Sequence, residues 1–291
     1  MSLKEILKPI VKLPLQFCFK TFPELKCIDR YRLKFGRLPN LITPQTFNEK
    51  LLLKKLFDRN PKLTLFADKY LVRDFVKSRL GCPEQYLTKI YAVIDTPVKI
   101  CDLNLPNQFV MKANHLSGQI KIVRDFKGIK YSELEHLAEV WLQANYYYHG
   151  NEWAYKNIKP RIIFEELLDA KGDTPDDYKF FCFNGNPRFI QIDRGRFTKH
   201  QRNIYDLELC LLPVRLVYEN FPGKVDLPEN FDKMIEIAKK LSKETDFIRV
   251  DLYNLNGRVI FGELTNYPEA GTGRFYPPSW DKEFGSCWKR W

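Results

Sequence analysis

No stretch of this 291-residue chain carries the roughly 20 consecutive apolar residues that cross a bilayer, and its N-terminus lacks the apolar block and small-residue cleavage site of a secretory signal. A cytoplasmic protein is expected. The cysteines, Cys18, Cys27, Cys82, Cys101, Cys182, Cys210 and Cys287, are odd in number, scattered, and nowhere spaced C-x-x-C, which argues against a zinc site and against a disulfide framework. There is no internal repeat, no low-complexity segment, and no helix-turn-helix, zinc-finger or RNA-recognition signature. What is present is basic charge: Lys and Arg exceed Asp and Glu by 11, which favours an acidic partner. Nucleotide, acidic sugar and anionic lipid are the candidates, and nucleic acid is disfavoured. The N-terminal KEILKPIVKLPLQFCFKTF interleaves Lys4, Lys8, Lys12 and Lys20 with apolar residues, a pattern suited to peripheral contact with the inner membrane surface or to docking on a core.

The chain divides into a helical N-terminal segment over residues 1–57, a first α+β unit over 58–168 and a second over 169–291. A capping signal at Thr46 or Asn48 opens the helix EKLLLKKLF, and LFADKYLVRDFVKSRL is expected to continue as one amphipathic helix carrying Lys69. IYAVID, FVMKANH, IKIV and PRIIFEELL read as strands, and YSELEHLAEVWLQANYYYHG as a helix capped by Ser132 and closed by Gly150. DYKFFCFNGNPRFIQIDRGRF is a hairpin turning at Asn184-Gly185, and a helix from about Phe231 to Lys243 precedes a second hairpin. A Gly-, Pro- and Trp-rich tail closes the chain.

That second hairpin, FIRVDLYNLNGRVIFGELT, is the most informative segment. Asn256-Gly257 forms its turn, and strand alternation sets Arg249 with Asp251 on one face and Glu263 with Thr265 on the corresponding face of the partner. A three-residue loop with a G1-type bulge would put Asp251 directly opposite Glu263, about 5 Å apart at Cβ. Two carboxylates that close repel unless a cation joins them. Mg²⁺ takes one or two carboxylates and fills its remaining positions with water and phosphate oxygens, and an arginine beside them adds charge for the same phosphate. An ordinary solvated hairpin face is the plain alternative.

Elsewhere, Lys112 ends the strand FVMKANH before a loop holding Asn114, His115, Ser117 and Gly118, where backbone N–H groups can cover a phosphate. Glu165 and Glu166 end the run PRIIF ahead of Leu167-Leu168, an arrangement able to offer backbone to an adenine edge and acid to ribose hydroxyls. Asp177 and Lys179 share a strand face, so an ion pair competes with ligand binding there.

These pieces come in a series that resembles the ATP-grasp ligases: a lysine on a helix, a lysine on a strand, an acidic strand end, then R-x-D and E-x-T on a terminal hairpin. PQTFNEKL, ADKYLVR, FVMKANHLSG, PRIIFEELL, DYKFFCFNG, IRVDLY and GELT together resemble the TupA-like branch, associated with teichuronopeptide and bacterial surface-polysaccharide biosynthesis, from about Lys34 to Phe284. The resemblance implies an α+β ATP-grasp fold, two subdomains clasping ATP. It implies Lys69 and Lys112 on the ATP phosphates under the Asn114–Gly118 loop, adenine at the backbone near Leu167 and Leu168, and Glu165, Glu166 or Asp177 at the hinge and ribose. It further implies Mg²⁺ on Asp251 and Glu263, and Arg249 on the transferred phosphoryl group. Thr265 stands where many relatives place an asparagine ligand, and Asn266 could replace it only if the strand bulges. The implied reaction joins a carboxylate, a uronic acid for this branch, to an amine through an acyl phosphate. Arg194, Arg202 and Arg274 are the candidates for holding acidic substrate groups, with GTGRF as a loop over them. A glycosyltransferase of polysaccharide assembly is the alternative, although the close-set D-x-D with which such enzymes often hold metal does not occur. A non-catalytic scaffold is the third.

Overall fold

A computed structural model describes residues 23–81, 83–168, 175–195, 199–223, 225, 228 and 230–291. The basic and apolar N-terminal run, residues 4–20, lies outside the described residues, so its expected membrane contact does too.

Two antiparallel sheets organise the chain. Strands β1 (Ile90–Ile94), β2 (Phe109–Ala113), β3 (Ile120–Val123) and β4 (Ile162–Glu165) form a four-stranded sheet in the order β1-β4-β2-β3. Phe109, Met111, Ile162 and Phe164 share a core with Leu134, Ala138 and Trp141 of the helix Tyr131–Gln143. The second sheet comprises β5 (Asp177–Phe183), β6 (Asn186–Arg194), β7 (Gln201–Tyr205), β9 (Phe247–Leu255) and β10 (Arg258–Thr265), ordered β10-β9-β5-β6-β7; β8 (Arg215–Leu216) and β11 (Phe275–Tyr276) pair separately.

Alternation explains how the large sheet is covered. Tyr178, Phe180, Cys182, Val250 and Leu252 face the helix Phe231–Ser242, meeting Met234, Ile237, Ala238 and Leu241. Helix residues Val72 and Val76 and the nearby Phe66 join this core. On the opposite face, Phe181, Phe183 and Phe247 pack against Phe47 and Leu51 of the helix Phe47–Phe57 and against Phe284 and Trp288 near the C-terminus. Each fully buried side chain of this size contributes about 1.5–3 kcal/mol. The remainder of that face is polar, and the candidate site lies there.

Several elements differ from their expected extent for local reasons. LFADKYLVRDFVKSRL is two helices, Pro61–Ala67 and Val72–Leu80, because the Asp68 carboxylate accepts from the backbone N–H groups of Tyr70 and Leu71 and holds a turn between them. Lys69 therefore sits in a turn. YSELEHLAEVWLQANYYYHG likewise breaks, since the Asn145 side chain accepts from Tyr147 N–H and starts a second helix, Tyr146–Gly150. Ser132 falls inside the first of these helices, whose N-cap is Lys130. The tail contains the helix Ser279–Ser286. Thr46 is the N-cap of the helix it precedes, in a reciprocal capping box with Glu49. Among the described residues, no helix is long and apolar enough to cross a membrane.

Candidate active site

Both Asn-Gly turns are two-residue connections with positive φ at each position, 51° and 78° at Asn184-Gly185 and 50° and 75° at Asn256-Gly257. A tight turn at Asn256-Gly257 alone would oppose Asp251 to Gly262. The register shifts between Phe261 and Glu263, so the bulge lies at Gly262 and not in the turn, and Glu263 pairs with Asp251 and Thr265 with Arg249. The expected opposition of the two acids is present, produced by a different bulge.

The sheet register then assembles one polar face. Glu263, Asp251, Lys179 and Gln191 form a row across β10, β9, β5 and β6; Tyr253, Asp177, Asp193 and Arg202 form the adjoining row. Arg249 grips Asp251 in a fork, Nε to Oδ1 and Nη2 to Oδ2 both at 2.7 Å, and the same Nη2 reaches Thr265 Oγ1 at 3.1 Å and Glu263 Oε1 at 3.5 Å. The Thr265 hydroxyl donates to Glu263 Oε1 at 2.8 Å. Lys179 Nζ lies 2.9 Å from Asp251 Oδ2 and also pairs with Asp177. Thus the cations that reconcile the opposed acids come from the chain itself. Asp251 is 2% exposed, and burial pushes its carboxyl upward against the pull of Arg249 and Lys179. The Glu263 side chain is 42% exposed. Its partial burial raises the carboxyl, but Lys69, Arg249, Lys179 and the Thr265 hydroxyl outweigh that and hold it at about 2.

Lys69 arrives from the other sheet's side. Its backbone N–H donates to the Asn114 carbonyl and its Nζ to the Leu116 carbonyl at 2.6 Å, so it is fastened to the Asn114–Gly118 loop while its charge acts on Glu263. Ser117 and Gly118 are exposed at the loop tip. Asn114 is fully buried. Its amide donates to Asp68 and to the Lys159 carbonyl, and its oxygen accepts from Arg161 N–H, so its side chain anchors the loop. His115 is buried between Asn114 Oδ1 and the Trp141 carbonyl, and burial lowers its pKa. Lys112 Nζ lies 2.5 Å from Glu165 Oε1, and Glu165 also accepts from the Thr88 hydroxyl. Glu166 points to Arg258 at 3.1 Å and accepts from Lys89 N–H. Leu167 and Leu168 follow β4 as half-buried, irregular backbone.

The three arginines are not gathered in one place. Arg202 is 3% exposed and held by Asp193 at 2.6 and 3.1 Å and by Glu269 at 2.8 Å. Arg194 follows Asp193 and so faces the other side of β6, over the Phe221 ring and paired with Asp176. Arg274 is bonded to the Lys34 carbonyl. Asn266 faces away from the carboxylates and donates to the Leu63 carbonyl at 2.8 Å. Sequence reasoning missed Lys179 as a partner of Asp251, and missed Glu269 altogether. Period-two alternation on β5 carried a signal for the first, but none for the second.

The donor set suits a hard divalent cation. Asp251 and Glu263 offer carboxylate oxygens in register, Thr265 adds a hydroxyl, and two carboxylates with phosphate oxygens are what Mg²⁺ uses. No group of three or more His, Cys, Asp or Glu side chains that could hold a metal occurs among the described residues.

The model of the TupA-like ATPgrasp family matches residues 49–289. This chain belongs to that family. The ATP-grasp assignment agrees with the mixed architecture of helices and two antiparallel sheets. No curated protein matches the chain. Similar solved structures include D-alanine–D-alanine ligase from Bacillus anthracis complexed with ATP, at 15% identity and a TM-score of 0.39, covering 70% of this chain and 55% of that one. The ATP-grasp ligase PsnB complexed with minimal precursor, Mg and ADP matches at 11% identity and 0.39, covering 75% and 57%. Macrocyclase MdnC from Microcystis aeruginosa MRC, bound with precursor peptide MdnA, matches at 11% and 0.42, covering 79% and 63%. The chain spans less than two thirds of each of these proteins.

Proposed function

We propose that this chain is an ATP-dependent, ADP-forming carboxylate–amine ligase that joins an amino acid or other amine to a uronic acid of a bacterial surface polysaccharide. The in-register pair of Asp251 and Glu263, spanned by Arg249, carries the reading. Family membership supports the nucleotide. The substrate classes rest on the association of the TupA-like branch with teichuronopeptide and surface polysaccharide.

Asp251 and Glu263, with Thr265 beside them, would hold Mg²⁺, which when bound neutralises charge on the β- and γ-phosphates. Lys69, from its turn, and Lys112, from β2, would meet the same phosphates, and the Leu167–Leu168 backbone would receive adenine. Arg249 steadies the phosphoryl group in flight. A carboxylate oxygen of the substrate attacks the γ-phosphorus, the bridging P–O bond breaks and ADP leaves. The amine nitrogen then attacks the acyl carbon, phosphate departs, and the new nitrogen gives up its proton. The Asn114–Gly118 loop shields the acyl phosphate from water, and no side-chain nucleophile takes part.

ADP release from Mg²⁺-ATP, screened against pairs of uronic acids and amino acids, tests this. Glu263→Gln, at a half-exposed position, is expected to lower turnover about 100-fold or more in a chain that still folds, with a modest fall in melting temperature because Lys69 and Arg249 favour the ionised acid. Wild-type turnover retained in that variant would remove the metal assignment. Asp251→Asn should also cost stability, because Arg249 and Lys179 would lose a buried partner.

A further inference from the structure

A cavity of about 310 Å³ lies between the helix Pro23–Phe35, the helix Phe47–Phe57 and the Ala270–Thr272 loop. Its charged lining consists of Arg30, Lys34 and Lys55, with no carboxylate among them. None of these three has a carboxylate at ion-pair distance among the described residues, and Lys26 stands close enough to feel both Arg30 and Lys55. Lys55 is the telling member. It is 5% exposed, yet its ammonium, with three protons to donate, makes one long contact of 3.4 Å to the Ala270 carbonyl. A nearly buried cation so poorly matched is costly unless an anion completes it. Lys34 and Lys55 both stand in the last turn of their helices, where the dipole favours a cation, so it is burial that sets Lys55 apart. Glu152, the acid that Lys55 and Arg30 act on, does not line the cavity, and burial raises its carboxyl to about 7 against their pull.

The same loop reaches the sheet face. Glu269 and Ala270 adopt left-handed φ of 50° and 54°; the Glu269 carboxylate binds Arg202 beside Asp193, while Ala270 turns its carbonyl to Lys55. Five residues lie between Glu263 and Glu269, and the Glu152 carboxylate feels Lys55 and Arg30 of the cavity as well as Glu263, which places the cavity on the flank of the candidate active site.

We propose that this cavity is an anion subsite, taking the phosphate of a phosphorylated uronic acid and so presenting the sugar carboxylate to the Asp251–Glu263 hairpin. The sugar assignment rests on the ligase reading above; the anion site does not. Several cations without a lining acid fit a phosphate dianion better than a single carboxylate, and the dianion could belong to the sugar or be free phosphate.

Isothermal titration of the full chain, its nucleotide site saturated with Mg²⁺ and a non-hydrolysable ATP analogue, separates the sources using glucuronic acid 1-phosphate, inorganic phosphate and glucuronic acid. The sugar phosphate should bind at least tenfold more tightly than glucuronic acid. Arg30→Gln combined with Lys34→Gln, at positions that are not buried, should weaken it at least tenfold without changing affinity for the analogue. Lys55→Gln should act in the same direction. Equal affinity in wild type and the double variant overturns the subsite. Binding of inorganic phosphate that responds to the variants, with no gain from the sugar, overturns the sugar assignment. Failure of the ATP analogue to bind would sink the ligase reading alone, and the phosphate titrations are then read without nucleotide.

Discussion

Arg249 holds two carboxylates and a hydroxyl with one guanidinium, and Lys179 adds a second cation to the more buried acid. This explains how Asp251 and Glu263 tolerate each other's company. Glu152 shows the opposite case, a buried acid whose neighbouring cations do not suffice. Its folded pKa of about 7 stands above the ordinary 4.5, so the folded state binds its proton more tightly than the unfolded chain. Below pH 4.5 the group is protonated in both states and costs nothing. As pH rises from 4.5 through 7 the fold loses stability, by up to about 3 kcal/mol. Glu152→Gln is accordingly expected to raise unfolding free energy by about 2–3 kcal/mol at pH 8 and to change little at pH 4. Urea titrations at the two pH values check this, and a pH-independent difference would show that burial of the carboxylate is not what destabilises the protein.

At the scale of elements, the hairpin depends on one glycine. A Cβ on Gly262 would stand 3.1 Å from both the Asp251 carbonyl oxygen and the Tyr253 ring, closer than the strand pair accommodates without shifting. Gly262→Val should destabilise the protein by about 1–3 kcal/mol through overpacking. It should also lower ADP release more than stability alone explains, because the bulge sets Glu263 opposite Asp251. Denaturant unfolding alongside turnover measured well below the transition distinguishes the two effects. The facing pair was legible in sequence because alternation and an Asn-Gly turn are local rules. The position of the bulge was not, since Gly257 and Gly262 both permit one. Lys69 was misplaced on a helix for a related reason: the apolar spacing of LFADKYLVRDFVKSRL runs through Asp68, but its carboxylate captures the next two usable N–H groups and ends the periodicity.

Across the whole molecule, distant parts of the chain close on the large sheet. Phe47 meets the rings of Phe181, Phe183, Phe247, Phe275, Phe284 and Trp288, all with centroids within 6.3 Å. The buried Asn48 amide donates to Asp281 and to the Gly273 carbonyl, and Lys54 pairs with Asp58 and Asp246. The helix Phe47–Phe57, which the sequence sets in a lead-in segment, is thereby part of the same packing as the C-terminal helix. Phe47→Ala should cost about 3–5 kcal/mol. Loss of far-ultraviolet helical signal and tryptophan fluorescence should coincide in one lowered denaturant midpoint; two separate midpoints would mean that the helix is not integral to this core.

Sequence alone determined that Arg249 shares a strand face with Asp251, and Glu263 with Thr265, because a period of two acts over a few residues; that the two pairs meet was decided by the bulge at Gly262. It also carried the family, through motifs that keep their order along the chain. Only the tertiary structure decided that Lys179 would turn to Asp251, that Asp193 and Glu269 would occupy Arg202, and that Lys55 would face Ala270 across a cavity. Those choices depend on which elements pack side by side. Residues 55 and 270 are brought together by aromatic burial between a helix and a sheet, a long-range term that no local pattern encodes.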